Sequence, residues 1–495
     1  MRKHFIPQNE IRNRHPRGMV SYTDGDYSNF AVMLMNAIKK AGVQDLEGNE
    51  LREIVVNLTM YYEDVMADAG IWRGFTDKVH KMYGRYLPFY DLNEKEYMRD
   101  EPNLDDLRFS IWNTLIMNRF PQGRIANPET PAVMKMATAA YELMDAWFEK
   151  IPVNEELKAF FAEAKFMDDF YAQRDVLKWI SYDCYLTCIP NNEDEIKDLA
   201  DDYSMFLNGN HNMASYAAES VLPYATKMGP LALYAPEWLG AILRANGLEE
   251  KALEAEQQEQ KPLDIYKILK ADAGKGIEFE DTKGGKFYVT DEGLRNPSVE
   301  FYKSKTALGA FVKYRDSWHL NATINWSQGG EELFEFTKSG VERHRQQFDF
   351  DYDKLMSVSG GSPFFYFDNY QKMKDYLSKE GGMSMEMLAG FEKPGENERI
   401  VAVVSSRDNV AFLYGDGVEC CLKDDRNPYY DEKIAKRESL TFALKLSGSA
   451  LKYAMDHGML PHVQLNSVYG AERGRTLFRE NYDFFARATM REEYE

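Results

Sequence analysis

Residues 248–262 read LEEKALEAEQQEQKP, and the spacing of apolar residues differs on the two sides of this stretch. On the N-terminal side, from about Tyr27 to Asn246, apolar residues recur every three or four positions. Leu51, Ile54, Val55, Leu58, Tyr62 and Val65 form one such stripe, the pattern of an amphipathic helix. Similar stripes run through Phe30, Leu34 and Ile38 and across residues 133–148, 157–180 and 196–206. Breaks at Pro128, Pro131, Pro152, Pro190-Asn191-Asn192, Asn208-Gly209-Asn210 and Gly229-Pro230 divide the region into roughly eight to ten helices. Short turns between consecutive helices make 1–247 an irregular bundle or a short solenoid. No fixed repeat period is present.

On the C-terminal side the period is two. Ile277 and Phe279 alternate with polar residues, Lys283-Gly284-Gly285-Lys286 supplies a hairpin turn, and Phe287 and Val289 resume the alternation. Further strands are expected at 310–314 and from Trp318 toward Ile324, reversed at Arg315-Asp316-Ser317. Residues 263–330 therefore read as a small antiparallel sheet or open barrel. The stretch 248–262 itself, almost all Glu, Gln, Ala and Lys before a proline, reads as an exposed helix tail or a linker and as the clearest domain boundary. In 331–495, residues 331–382 are expected to be helical around the aromatic run Phe364-Phe365-Tyr366-Phe367. Two strands at 399–405 and 410–422 flank Arg407-Asp408-Asn409, and helix follows from 438, broken at 458–461. The fold class is multidomain α+β: an all-helical N-terminal half, a small antiparallel β module and an α+β C-terminal region.

The chain has 495 residues and a formal net charge of −20, which disfavours a protein that coats nucleic acid through a basic face. Four cysteines are too few for a disulfide framework and lack the spacing of a zinc ribbon, so a cytoplasmic setting is expected. The first residues, MRKHFIPQNEIRNRHPRG, are basic without the apolar run of a signal peptide. No membrane partner is expected.

The stretch from Tyr266 to Trp326 carries Gly274-Lys275-Gly276-Ile277-Glu278-Phe279-Glu280-Asp281, then Phe287-Tyr288-Val289, Gly309-Ala310-Phe311-Val312 and Trp318-His319-Leu320. It resembles a β module of bacterial intracellular proteins that often accompanies a SEC-C type zinc motif. The zinc-binding cysteines of that motif are missing here, so zinc is not implied. The run 454–486, with Gly458-Met459-Leu460-Pro461-His462 and Asn481-Tyr482-Asp483-Phe484-Phe485, is similar to uncharacterised proteins of Bacteroidetes bacteria. That likeness implies a cytoplasmic protein and brings no catalytic residues.

Each chemically suggestive group has a plainer reading beside it. Cys184 and Cys188 share a helix face but lack the further ligands of a structural metal site, and are expected to be inert. Cys420 and Cys421 are expected in a strand, pointing to opposite faces. Asp77-x-x-His80 is half of a di-iron motif without a second half, and Glu63, Asp64 and Asp68 are acids that an acidic chain places there by chance. Gly274-Lys275-Gly276 precedes a strand rather than a helix, so it is a turn and not a phosphate loop. Ser362 lacks the Gly-x-Ser-x-Gly frame. His457, His462, Asn466 and Arg473, with Arg475 nearby, form a polar cluster that reads as an acid–base or anion site. Its alternative is a helix end capped by His457 with Gly458 left-handed. The basic arm Arg2, Lys3, Arg12, Arg14 and Arg17 is expected to lie on the protein's own acidic surface.

These readings leave catalytic residues unassigned and imply no cofactor and no metal. The expected function is binding or scaffolding with a protein or nucleic-acid partner, gripped by Lys275, Lys286, Lys313 and Arg315 of the β module. The alternative is a hydrolase or nucleic-acid-processing enzyme with an interdomain site.

Overall fold

The computed structural model describes residues 5–43, 46, 48–119, 127–189, 192–207, 209–295, 297–322, 325–381, 394–395, 398–405, 409–489 and 494. Arg2, Lys3, Ile324 and the expected reversal at Arg407-Asp408 lie outside them. The chain divides into two compact units, Met1–Lys338 and Ser339–Glu495.

Up to residue 256 every element is helical. The helices are α1 (Gln8–Arg12), α2 (Asp24–Lys40), α3 (Gly48–Ala67), α4 (Ile71–Tyr83), α5 (Leu104–Arg119), α6 (Pro131–Trp147), α7 (Glu155–Glu163), α8 (Phe170–Tyr182), α9 (Asn192–Phe206), α10 (His211–Ala225), α11 (Ala235–Ala245) and α12 (Glu249–Glu256). Their starts are set by side-chain caps: Thr130, Asn154, Asp169 and Asn210 each accept from a backbone N–H three residues on. Among the described residues no helix is long and apolar enough to cross a membrane.

Helix α3 differs from the single stripe that its spacing suggests. From Ile54 to Val65 it is buried on every side, and α5 is buried throughout 109–117. Their polar side chains are therefore interior, and each needs a partner. Thr59 and Thr114 donate back to the carbonyls of Val55 and Ser110.

The β module holds β1 (Glu259–Asp272), β2 (Gly276–Glu280), β3 (Lys286–Thr290), β4 (Thr306–Tyr314), β5 (Ser317–Leu320) and β6 (Asn325–Ser327). All pairings are antiparallel in the order β3-β2-β1-β4-β5, with β6 also on β4. The first half of β1 pairs with β4 and its second half with β2, so the sheet curls. The Leu320 N–H donates to the Gly293 carbonyl at 2.8 Å, tying β5 to the chain that follows β3. Inside pack Tyr266, Ile277, Phe279, Phe287, Val289, Phe311 and Leu320, with the rings of Phe279 and Phe311 5.3 Å apart. Trp318 is half-buried against this cluster.

The stretch 248–262 takes the helical of its two readings rather than the linker, but not as an exposed tail. It forms α12 and the first residues of β1, with Ala252 and Ala255 fully buried. Arg244 of α11 holds Glu256 at 2.6 Å and Glu249 at 3.0 Å, which turns an acidic, Gln-rich sequence into the second arm of a helical hairpin. The β module also sits firmly on the helices. Arg174 of α8 donates to the Asn321 carbonyl at 2.6 Å, and Asn321 donates to the Ser220 carbonyl of α10 at 2.7 Å. The Tyr314 hydroxyl donates to the Met167 carbonyl.

Helix α13 (Glu331–Val358) begins in the first unit and ends in the second. The second unit contains β7 (Phe364–Phe367), α14 (Tyr370–Tyr376), β8 (Ile400–Ser405), β9 (Asn409–Tyr414), α15 (Glu432–Ala443), α16 (Gly448–Asp456) and α17 (Ala471–Thr489). The aromatic run expected within helix is instead strand β7, paired with β8. Phe365 and Phe367 enter the core around Ile400, Ala402 and Val404, while Phe364 meets Tyr453 of α16. A strand covered on both faces loses the alternation by which strands are read. Cys420 and Cys421 lie beyond β9, where Gly415 and Gly417 turn the chain with positive φ, and both are buried.

Phe279→Ala is expected to cost about 3 to 5 kcal/mol, the usual range for an aromatic lost from a closed core. Trp318→Ala is expected to cost less, because its ring is half in solvent. Thermal unfolding of the two variants checks the order.

Candidate functional site

The four cations expected to grip a partner do not form one patch. Lys275 is exposed at the β1–β2 turn, and Lys286 is exposed at the other end of β2, where β3 begins. Lys313 is bound to Glu259 at 2.6 Å, and Arg315 to Glu254 at 2.7 Å and to the Met167 carbonyl at 3.0 Å. Lys313 is therefore paired within the sheet, and Arg315 alone of the four holds the module to its neighbours.

In the C-terminal polar run, two histidines have partners of their own. His457 is the C-cap of α16: its Nδ1 lies 2.9 Å from the Tyr453 carbonyl, its ring stacks on Tyr453 at 3.9 Å, and Gly458 is left-handed. His462 meets the Tyr430 hydroxyl at 3.2 Å, Asn466 is exposed, and Arg473 is half-buried in the first turn of α17. Ser362 is buried, its Oγ accepting from Arg426 and from the Phe364 N–H. Asp77 pairs with Arg99, while His80 stacks on Tyr86 at 4.4 Å. Among the described residues no three His, Cys, Asp or Glu side chains stand close enough to share a metal ion.

Glu63 and Asp64 are far from incidental. Glu63 is fully buried and accepts from His15 Nε2 at 2.8 Å and from Asn154 Nδ2 at 2.7 Å. Burial opposes charge on His15, but Glu63 and Asp24 outweigh it and raise the imidazole above its ordinary value. The basic arm is thereby pinned to the helices: Arg12 pairs with Asp24, Arg17 with Asp175, and Trp179 donates to the Arg14 carbonyl. Asp64 accepts from the N–H groups of Ile71 and Trp72 and from the Tyr185 hydroxyl, which caps α4. Burial raises Asp64 to about 6 against these donors. Asp106, at the start of α5, accepts from Tyr61 and Tyr97 at 2.8 Å each, and burial raises it to about 7.

One polar cavity, of about 430 Å³, opens beside this network. The docked arm supplies Arg14, α3 supplies Glu53 and Asn57, and α5 supplies Thr114, Met117 and Asn118. Tyr182, Cys188, Ile189 and the first turn of α9 complete it. Asn57 is 4% exposed and donates from Nδ2 to Thr114 Oγ1 at 3.1 Å. Because the Thr114 hydroxyl donates to the Ser110 carbonyl, it can only accept from Asn57, and this fixes the amide orientation. Asn57 Oδ1 is then buried with no donor. An unmade bond at a buried acceptor costs about 1 to 3 kcal/mol, and Oδ1 itself is closed to solvent. Of the four thiols only Cys188 is half-exposed, whereas Cys184 is buried and pushed up to about 12. The arrangement can hold a small polar molecule by hydrogen bonds and charge.

Sequence reading missed this site. Its trace is the pairing of polar residues four apart on otherwise apolar helices, Glu53 with Asn57 and Thr114 with Asn118.

A family model described as a protein of unknown function, DUF3843, matches residues 6–262 and 322–491. No curated protein and no solved structure matches the chain. Every cavity residue falls inside the matched segments, whereas Lys275, Lys286, Lys313 and Arg315 fall in the unmatched 263–321.

Two outcomes follow from the charges. Arg315→Glu, which turns an internal pair into a repulsion, is expected to lower the unfolding midpoint, while Lys275→Glu and Lys286→Glu leave it in place. Asp106 holds its proton more tightly folded than unfolded, so its contribution is full below pH 3.8 and is lost as pH rises through about 7. The midpoint of Asp106→Asn relative to the wild type should therefore rise between pH 5 and pH 8, as read by calorimetry at each pH. A constant difference would contradict the buried carboxyl.

Proposed function

We propose that this chain, which belongs to the DUF3843 family of proteins of unknown function, is a binding protein whose helical half holds a small polar ligand in the cavity between α3, α5, α8 and α9. One observation carries the reading: a cavity of ligand size, about 430 Å³, lined by the polar side chains of Arg14, Glu53, Asn57, Thr114, Asn118 and Asn192. The position of the cavity within the family-matched segments supports it. A protein or nucleic-acid partner of the β module stands second, supported by Lys286 and Tyr288, exposed on the same outer face of β3. We place the protein in a bacterial cytoplasm. The likeness of its C-terminal run to Bacteroidetes proteins and the four cysteines standing as thiols support this.

Asn57→Leu tests the binding role directly. Replacing a half-satisfied amide by an apolar group of similar shape is expected to leave stability within about 1 kcal/mol of the wild type, or to raise it. The same change should empty the cavity. Protein purified under mild conditions, then denatured and extracted, should release a stoichiometric small molecule from the wild type and none from Asn57→Leu when examined by mass spectrometry. Extracts without such a molecule in either protein would count against the proposal.

A further inference from the structure

We infer that His15 is a proton-operated latch: with a proton on both ring nitrogens it locks the N-terminal arm onto the helices, and on losing one it releases segment 14–20 and opens the polar cavity at Arg14. Hydrogen-bond geometry is the first argument. Nε2 faces the Glu63 carboxylate at 2.8 Å, and Nδ1 faces the Met19 carbonyl at 3.3 Å and the Asp24 carboxylate at 3.6 Å. These partners only accept. Either neutral tautomer would turn a ring lone pair against an acceptor, so the imidazolium alone satisfies the site. His15 is 1% exposed, which leaves water no part in making up the loss.

Charge is the second argument. Glu63 of α3 and Asp24 of α2 stand against Arg12 and His15 of the arm, a balance that deprotonation of His15 leaves one positive charge short. The neighbouring groups do not replace it. Glu63 keeps the neutral Asn154 amide, Tyr27 donates its hydroxyl to the Pro152 carbonyl, Arg14 is turned to the Asp183 carbonyl, and Glu156 of α7, held by Ser21, adds a further acid. Burial opposes the charge on His15, but Glu63, the Met19 carbonyl and Asp24 outweigh it and raise the imidazole above its ordinary 6.5. The latch also holds strain. Arg17 has a left-handed φ of 57°, which only glycine adopts without cost. Other ties of this segment include the exposed Arg17–Asp175 pair and the Trp179 indole N–H on the Arg14 carbonyl. Arg14, next to His15, forms part of the cavity wall.

The docked arm binds the proton more tightly than the released arm. Docking is therefore complete below pH 6.5 and is lost as pH rises through the raised value, the released fraction growing by up to about tenfold per pH unit. Hydrogen exchange of the full chain between pH 6 and pH 9, corrected for the intrinsic pH dependence of exchange and read by mass spectrometry, tests this. The peptide spanning 6–20 should lose protection over that range while a peptide of α11 keeps it. His15→Gln, which can donate without carrying charge, should give an arm of low protection at every pH, and Glu63→Gln should move the loss to lower pH. Alkylation of Cys188, in the cavity wall, reports the opening. Its rate in His15→Gln divided by that in the wild type should exceed one at pH 6 and approach one at pH 9. Constant arm protection in the wild type, the wild-type pH profile in both variants, or loss of α11 protection together with the arm would overturn the latch. A ratio of one at every pH, with the arm released, would overturn the opening of the cavity. Release of the arm is read without any ligand, so its failure and that of the ligand-binding reading are separate results; only control of a ligand's entry rests on that reading.

Discussion

The contact between His15 and Glu63 is the constraint from which the helical half takes its form. A carboxylate at 0% exposure cannot stand alone in a protein interior; it needs donors on its oxygens and a compensating charge. Glu63 obtains them from two parts of the chain far apart in sequence. His15 brings in the N-terminal arm, and Asn154, which also caps α7, brings in the connection after α6. With the arm held, Ile6 and Ile11 are buried and Arg14 is delivered to the mouth of the cavity. The described arginines of the arm, Arg12, Arg14 and Arg17, thus all contact the protein itself.

The same requirement recurs along the two central helices. The buried acids of α3 and α5 are met by other elements, Asp64 by the start of α4 and Tyr185, and Asp106 by Tyr61 and Tyr97. The two buried amides are left half-satisfied, with Asn57 Oδ1 on α3 and Asn113 Oδ1 on α5 both bare, and of the two residues Asn57 also lines the cavity.

The β module is attached by backbone carbonyls as much as by side chains. Arg174 and Ser220 engage Asn321 at the end of β5, and Arg315 and Tyr314 reach the Met167 carbonyl. Of the residues that look like a free basic surface, Arg315 is therefore occupied in attachment and Lys313 in pairing β4 with β1. The family match passes over 263–321 and resumes in the chain beyond it, in keeping with a module built around its own aromatic core.

Local chemistry alone determined much of this protein. The change of period from 3.6 to 2 near residue 260, the hairpin at Lys283–Lys286, the reversal at Arg315 and the cap at His457 with left-handed Gly458 all depend on neighbouring residues, and all are present. Tertiary structure decided what depends on distant partners. An acidic stretch became helix α12 because Arg244 faces it, and an aromatic run became strand β7 because both of its faces are covered. The candidate site belongs wholly to this second kind. Periodicity assigns Glu53, Asn57, Thr114 and Asn118 to helices, but a polar residue on a helix is read as solvated until another helix is known to bury it. Only the packing of α3, α5, α8 and the docked arm makes Asn57 an interior acceptor in need of a donor.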